Sequence, residues 1–194
     1  ALLLATFAFA WQIYFDFSGY TDMARGIARL MGFLLMLNFE NPYLATGLGD
    51  FWRRWHISLS TWFRDYVYIP LGGNRHGHFR THVNMVLTML ISGLWHGAMW
   101  TFVLWGAVHA VGRVLTRELE RTAFYRDRVP TLAKQTLTFL VVVLAWVFFR
   151  AQSTSDAWLI LGRIFSSGLA DPAFPLLMAG LVLSIWLYQY VYES

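Results

Sequence analysis

The sequence has no cysteine and few charged residues, and each shortage excludes a class of protein. Without cysteine, disulfide bonds and thiolate catalysis are excluded, although the redox compartment stays open. Charged residues make up only 13% of the 194 residues, against roughly 25% in ordinary soluble domains, while hydrophobic residues reach 57%. The chain also lacks a glycine-rich phosphate loop, a metalloprotease helix and a dinucleotide fingerprint. These absences leave an integral membrane protein as the best interpretation.

The chain begins inside an apolar run, without an initiator methionine or a signal-peptide pattern. We therefore expect an interior or C-terminal piece of a longer polytopic protein. No internal repeat or linker appears, which predicts a single membrane domain over 1–194. The net charge of +4 comes from residues between apolar runs, where basic side chains act as topology signals. The expected fold is an all-α polytopic transmembrane helix bundle with interfacial amphipathic helices, in contact with membrane lipid and without a nucleic-acid partner.

Hydropathy and turn residues divide the chain into predicted segments. They are the end of a span at 1–15, a short or interfacial helix within 16–41, an amphipathic interfacial helix at 49–64, a basic loop at 75–82, a long apolar segment at 83–112, a charged connection at 113–134, a span at 135–150, an interfacial helix at 158–165 and a last span at 174–192. Within the first of these helices, Asp16 and Asp22 are expected to pair with Arg25 or Arg29.

The apolar segment 83–112 poses a topological problem. As a straight helix it would extend about 45 Å, against about 30 Å of hydrocarbon. The loops on either side of it are both basic, and basic loops prefer the cytoplasm. A break near Gly93 or Gly97 would let two half-helices enter and return. We therefore predict a broken segment with His96 at its apex.

His96 is an ionisable side chain near the middle of that segment, and such residues are costly at membrane depth. Asn84, Thr88 and Ser92 precede it at four-residue intervals and would form one polar stripe on a helix. For these three, interhelical hydrogen bonding is the favoured interpretation. For His96 a functional role is favoured, because its imidazole exchanges protons near neutral pH. Ser92 as a nucleophile activated by His96 is a weaker alternative, since no third group is visible.

His56 and the arginines around it form a second candidate site. His56 is either an interfacial residue packed on aromatic rings or a group that positions substrate or relays protons. Arg53, Arg54 and Arg64 bind either lipid phosphates, the commoner role, or the phosphates of an anionic acyl donor. His76, His78 and His82 lack a neighbouring carboxylate or cysteine, so a solvated basic loop is favoured over a metal site.

Three long motifs resemble one enzyme family. They are DFWRRWHISLSTWFRDY at 50–66 continuing as YIPLGGNR at 68–75, GLWHGA at 93–98, and FDFSGYTDMA at 15–24. Together they closely resemble the membrane-bound O-acyltransferase family, and within it the bacterial alginate O-acetyltransferase branch. The strong similarity covers residues 12–113, and the rest agrees only as further membrane helices.

The resemblance implies a fold, a chemistry and partners. His96 corresponds to the family's invariant catalytic histidine, and His56 to a second characteristic position that holds Asn in many relatives. The implied fold is the C-terminal part of a tilted helix bundle with the histidine in a tunnel reachable from both faces. The implied donor is acetyl-CoA or another acyl thioester, with no tightly bound cofactor. The acceptor is an extracytoplasmic polysaccharide such as alginate, and a periplasmic acetyltransferase partner assists. The location is the bacterial inner membrane, crossed several times.

Two other functions remain open from the sequence. An intramembrane histidine with a polar stripe also suits a proton-coupled transporter, although the inverted repeats typical of transporters are missing. The chain could alternatively serve as a non-catalytic subunit of an envelope polysaccharide complex.

Overall fold

A computed structural model describes residues 2–166 and 176–193, and the regular structure of these residues is helical. Apart from an isolated bridge between Phe39 and Trp55, the described part contains no β-structure. The all-α prediction is therefore confirmed for these residues. The α-helices are α1 (Leu2–Leu30), α2 (Leu48–Arg54), α3 (Ile57–Phe63), α4 (Gly77–His96), α5 (Trp100–Arg121), α6 (Ala123–Arg128), α7 (Thr131–Arg150), α8 (Thr154–Ser166) and α9 (Leu176–Glu193).

The first helix is longer than the sequence predicted. Instead of a span end followed by a separate short helix, α1 is continuous and ends just before Gly32, whose φ of +85° suits glycine. Its polar residues are accommodated within the helix, because Arg25 pairs with Asp22 at 3.0 Å as expected. The short helix predicted within 16–41 is therefore the second half of α1, and a short 3₁₀ turn, Pro42–Leu44, follows later.

The amphipathic segment 49–64 is two helices rather than one. α2 ends at Arg54, and α3 begins at Ile57 after a bend at His56, which has φ +43°. Asn38 stabilises this bend, since its backbone oxygen accepts from the Ile57 amide at 3.0 Å and its Oδ1 accepts from the Ser58 amide at 3.0 Å. A five-residue π-helical stretch, Arg64–Tyr68, follows α3 directly. The prediction of a single continuous helix was wrong because a left-handed residue interrupts it.

The apolar segment 83–112 is broken, as predicted. α4 ends at His96 and α5 begins at Trp100. These two helices make the most extensive contact of any two described elements. Glycine allows this approach: a Cβ on Gly93 would lie 2.4 Å from the carbonyl oxygen of Phe102, and one on Gly106 would lie 2.6 Å from that of Met89. The helix therefore ends next to Gly97, whereas Gly93 lies in the contact between α4 and α5.

The charged ends of this helical hairpin lie side by side. His82 Nε2 is 3.0 Å from Glu118 Oε1, and Arg121 contacts the His78 ring and Glu118. The two basic loops thus meet at one end, as the return of two half-helices requires. Most of the predicted loop 75–82 is the start of α4, and most of the predicted connection 113–134 belongs to helices α5 and α6. These segments were predicted as loops because they are rich in charged residues. The prediction was wrong because arginine is a good helix former.

α7 provides the centre of the packed core. Val142, Ala145 and Trp146 are almost fully buried, and α7 packs against α1 and α5. At its N-terminal end the Gln135 side chain donates to the carbonyl oxygen of Leu44 at 3.0 Å. α7 begins at Thr131, slightly earlier than the predicted span at 135–150. The site described below is supported by this core.

Among the described residues, Thr131–Arg150 is the one helix whose length and apolarity suit a membrane crossing, and Ala179–Val191 is a shorter apolar stretch. α8 includes the predicted interfacial helix at 158–165. α9 matches the last predicted span from residue 176 onwards, while Phe174 and Pro175 lie outside the described residues.

Candidate active site

His96 is the last residue of α4 and its ring is surrounded by aromatic side chains. Its centroid lies 5.0 Å from Trp105, 5.1 Å from Phe149 and 4.9 Å from Trp95. The residue is only partly buried, and within the described residues neither ring nitrogen has a hydrogen-bond partner. Packing therefore fixes the ring plane while both nitrogens stay available to a substrate.

His56 lies close enough to His96 for the two rings to interact electrostatically. Its ring packs edge-on against Phe17 at 4.7 Å, and Ser58 Oγ lies 3.4 Å from its Nδ1. A non-glycine residue in the left-handed region costs of order 1–3 kcal/mol, and such strain clusters at active sites. The bend before α3 thus places His56 in the same region of the fold as His96, which ends α4.

The polar stripe of α4 is buried. Asn84 is fully buried and donates from Nδ2 to the carbonyl oxygen of Gly73 at 2.9 Å, in the turn after the π-helical stretch. Thr88 Oγ1 donates to the Asn84 carbonyl within α4 at 2.7 Å. The prediction of interhelical hydrogen bonds was wrong for Thr88, because its hydroxyl donates to a carbonyl oxygen of its own helix. Ser92 is buried one helical turn before His96.

A cavity of about 540 Å³ lies between the α2–α3 region and the α4–α5 hairpin. This volume is in the range of small-molecule sites. Thr88 and Ser92 line it on the α4 side. Its remaining wall carries a cluster of basic side chains, namely Arg53, Arg64, Arg113 and Arg117. The cavity therefore joins part of the buried stripe of α4 with a strongly positive surface. Neither His96 nor His56 is among the residues that line it.

The three arginines predicted from the sequence are each near a carboxylate. Arg53 lies 3.9 Å from Asp50 with its side chain 77% exposed, and Arg54 lies 3.1 Å from the same carboxylate. Arg64 lines the cavity and pairs with Asp65 at 2.7 Å, and its hydrogen bond lowers the pKa of the Asp65 carboxyl. Arg54 does not line the cavity, so the structure places only Arg53 and Arg64 in its wall.

Sequence reasoning missed three residues around this site. Arg113 and Arg117 were assigned to a charged connection, yet both line the cavity from α5. His109 is fully buried, with both ring nitrogens unpaired within the described residues, and lies 4.8 Å from Trp105 and 5.1 Å from Trp52. Trp105 therefore stands between the rings of His96 and His109. The four-residue spacing of Trp105, His109 and Arg113 was the available signal.

The predicted histidine-rich loop shows no metal-like cluster. His82 pairs with Glu118 and His78 with Arg121. The described residues include no group of three side chains of the His, Cys, Asp or Glu type arranged to hold a metal ion.

The model of the membrane-bound O-acyltransferase family matches residues 1–155. The "Probable alginate O-acetylase AlgI" of Pseudomonas aeruginosa is 50% identical over 165 residues, which are 85% of this chain and 31% of that protein. The peptidoglycan O-acetyltransferase of Helicobacter pylori is 43% identical over 159 residues, 81% of this chain and 30% of that protein.

A teichoic acid D-alanyltransferase of Bacillus subtilis is 29% identical over 154 residues, 76% of this chain and 39% of that protein. The chain thus spans roughly a third of the length of the curated relatives it matches. The family match covers most of the chain, including both histidines and the cavity. The chain belongs to the membrane-bound O-acyltransferase family.

Proposed function

We propose that the complete protein containing this chain is an O-acyltransferase that moves an acetyl group from a thioester donor to a polysaccharide hydroxyl. One observation carries the proposal: His96 presents unpartnered ring nitrogens one helical turn beyond Ser92, which lines a basic cavity. General base catalysis requires a base within reach of the substrate, and a substrate in the cavity would reach His96 by extending past Ser92.

In the proposed reaction, the neutral imidazole of His96 accepts the proton of the acceptor hydroxyl. The hydroxyl oxygen forms a bond to the thioester carbonyl carbon, and the carbon–sulfur bond then breaks. The imidazolium returns its proton to the thiolate that leaves. The aromatic rings around His96 keep the imidazole in place for both transfers, and a positioned base of this kind contributes about 10²–10⁴ in rate.

His56 is proposed to position the acceptor or to relay its proton, because it lies beside His96 on a backbone held by Asn38. Ser92 is proposed to contact substrate from the cavity wall. Asn84 supports that wall indirectly, since it fixes the turn at Gly73.

The donor is proposed to be acetyl-CoA or another acyl thioester, held as a substrate without a tightly bound cofactor. Arg53 and Arg64 in the cavity wall, with Arg54 nearby, are the residues predicted from the sequence to meet its phosphates. Guanidinium groups suit phosphate because their parallel N–H groups bind two oxygens at once.

The names of the relatives support the proposed acceptor. The alginate O-acetylases are near 50% identical to this chain, so alginate or a similar exopolysaccharide is the proposed acceptor. We further propose a periplasmic acetyltransferase partner, the bacterial inner membrane as location, and one polytopic domain of which this chain is a C-terminal part. Both charged ends of the α4–α5 hairpin would then face the cytoplasm.

The test is acetyl transfer from radiolabelled acetyl-CoA to polymer in membranes that hold the complete protein. His96→Ala should abolish transfer without loss of membrane insertion, while the exposed control His76→Ala should leave it unchanged. Proton flux without any acetyl transfer would favour the transporter instead. Absence of both activities in the wild type would favour a non-catalytic subunit.

A further inference from the structure

The basic wall of the cavity contains two kinds of arginine. Arg53 and Arg64 each have an aspartate within 4.0 Å. Arg113 and Arg117 have neither an ion pair within 4.0 Å nor a side-chain hydrogen bond within the described residues. No carboxylate lines the cavity in the described part of the chain, although Glu120 attracts Arg113 from a longer distance. Two guanidinium groups thus face this space without a carboxylate in direct contact.

Arg113 is also partly buried, so its charge is costly without an anion in direct contact. Its guanidinium lies against Gly49 of α2: a Cβ there would be 2.3 Å from Nη1 and 2.6 Å from Cζ. Any side chain at position 49 would therefore displace the Arg113 head group. Because Gly49 has no side chain, the Arg113 guanidinium can occupy this position in the cavity wall.

Arg113 and Arg117 lie one helical turn apart on α5, on the face that lines the cavity. Arg113 is about 20 Å along the helix axis from Trp100, where the hairpin turns at His96. An extended pantetheine arm separates a phosphate from its thioester by a comparable distance. The cavity runs from these arginines to Ser92, one helical turn before the proposed base.

We propose that Arg113 and Arg117 bind a phosphate of the thioester donor and so fix the distance from that phosphate to His96. The inference rests on the proposed function and deepens it, because it adds two arginines of α5 to Arg53 and Arg64 in the same cavity wall. Coenzyme A and a carrier-bound phosphopantetheine share this chemistry.

The test is equilibrium binding of coenzyme A, phosphopantetheine and pantetheine to the complete protein in neutral lipid nanodiscs. The His96→Ala background is used, so that binding is measured without turnover. Arg113→Gln and Arg117→Gln should each weaken coenzyme A binding about tenfold or more, the usual scale for a charge-assisted hydrogen bond. Pantetheine binding should not change, because it lacks phosphate. The exposed control Arg128→Gln should leave all three affinities unchanged.

The probes separate the sources of the phosphate. If the two variants weaken phosphopantetheine as much as coenzyme A, the arginines hold the phosphate next to the pantetheine arm. If they weaken only coenzyme A, they hold its nucleotide phosphates. Either result supports the proposal.

Gly49→Ala supplies an independent test, since it moves the Arg113 head group without changing the net charge. It should weaken coenzyme A binding, whereas Gly162→Ala, whose Cβ meets nothing within 4 Å in the described structure, should not.

The proposal is overturned if Arg113→Gln and Arg117→Gln bind coenzyme A with wild-type affinity, or if Arg128→Gln has the same effect. It is also overturned if the two variants lose anionic phospholipid from mixed nanodiscs while coenzyme A binding is unchanged, because the ligand is then a lipid headgroup. None of these results bears on acetyl transfer by His96, which is measured separately.

Discussion

Replacing Gly93 with alanine should damage both the α4–α5 hairpin and the proposed acyl transfer. The added Cβ would lie 2.4 Å from the Phe102 carbonyl oxygen and 3.2 Å from its carbon. These are backbone atoms, so the contact cannot be relieved by a rotamer change. The two helices must separate by about 1 Å to restore an ordinary contact distance. Overpacking of this kind costs about 1–3 kcal/mol, which exceeds the gain of about 0.5–1 kcal/mol from replacing a helical glycine.

The catalytic effect should be larger than the effect on stability. Gly93 is three residues before His96, while Phe102 and Trp105 on the opposing helix contact the His96 ring. A misplacement of about 1 Å can cost around 10²-fold in rate. The assay pairs acetyl transfer with thermal inactivation of the complete protein in membranes. Gly162→Ala is the matched control, because a Cβ there meets nothing within 4 Å in the described structure. Equal activity and stability of the two variants would refute the reasoning.

Two further predictions concern the other histidines of the site. His56→Gly should relieve about 1 kcal/mol of left-handed strain but lose the packing of the ring on Phe17, so stability should change little while acetyl transfer is lost. A wild-type transfer rate in this variant would exclude a role for the side chain. His109→Phe should match or exceed the wild type in thermal stability, because the two buried ring nitrogens have no partner within the described residues. A large loss of stability would instead reveal polar contacts, such as internal water, at that ring.

The hairpin was predictable because two signals agreed. Basic loops on both sides of 83–112 required a return, and Gly97 offered a place for it. The long motifs also identified the family directly. By contrast, α1 was divided wrongly, because polar residues from Asp16 onwards were taken as a boundary although no helix breaker occurs before Gly32. Charge alone does not end a helix.

The site was only partly predictable, for reasons of tertiary structure. His96 and His56 were identified from motifs, but the positive φ of His56 depends on Asn38, which lies in a separate segment. Arg113 and Arg117 become neighbours of α2 only when α5 packs against it, so no local pattern marks them as cavity residues. Arg53, Arg54 and Arg64 could be selected because they lie in a motif. Arginines that lack a direct ion pair could be recognised only in the folded chain.

The central claim is that the imidazole of His96 is the base for acyl transfer. The most direct measurement is the rate of acetyl transfer by the complete His96→Gly protein, with and without added imidazole. We predict a fall of about 10²–10⁴ in rate, and a partial recovery that increases with imidazole concentration as the free base enters the vacated space. A His96→Gly protein that transfers acetyl at the wild-type rate without imidazole would contradict the claim.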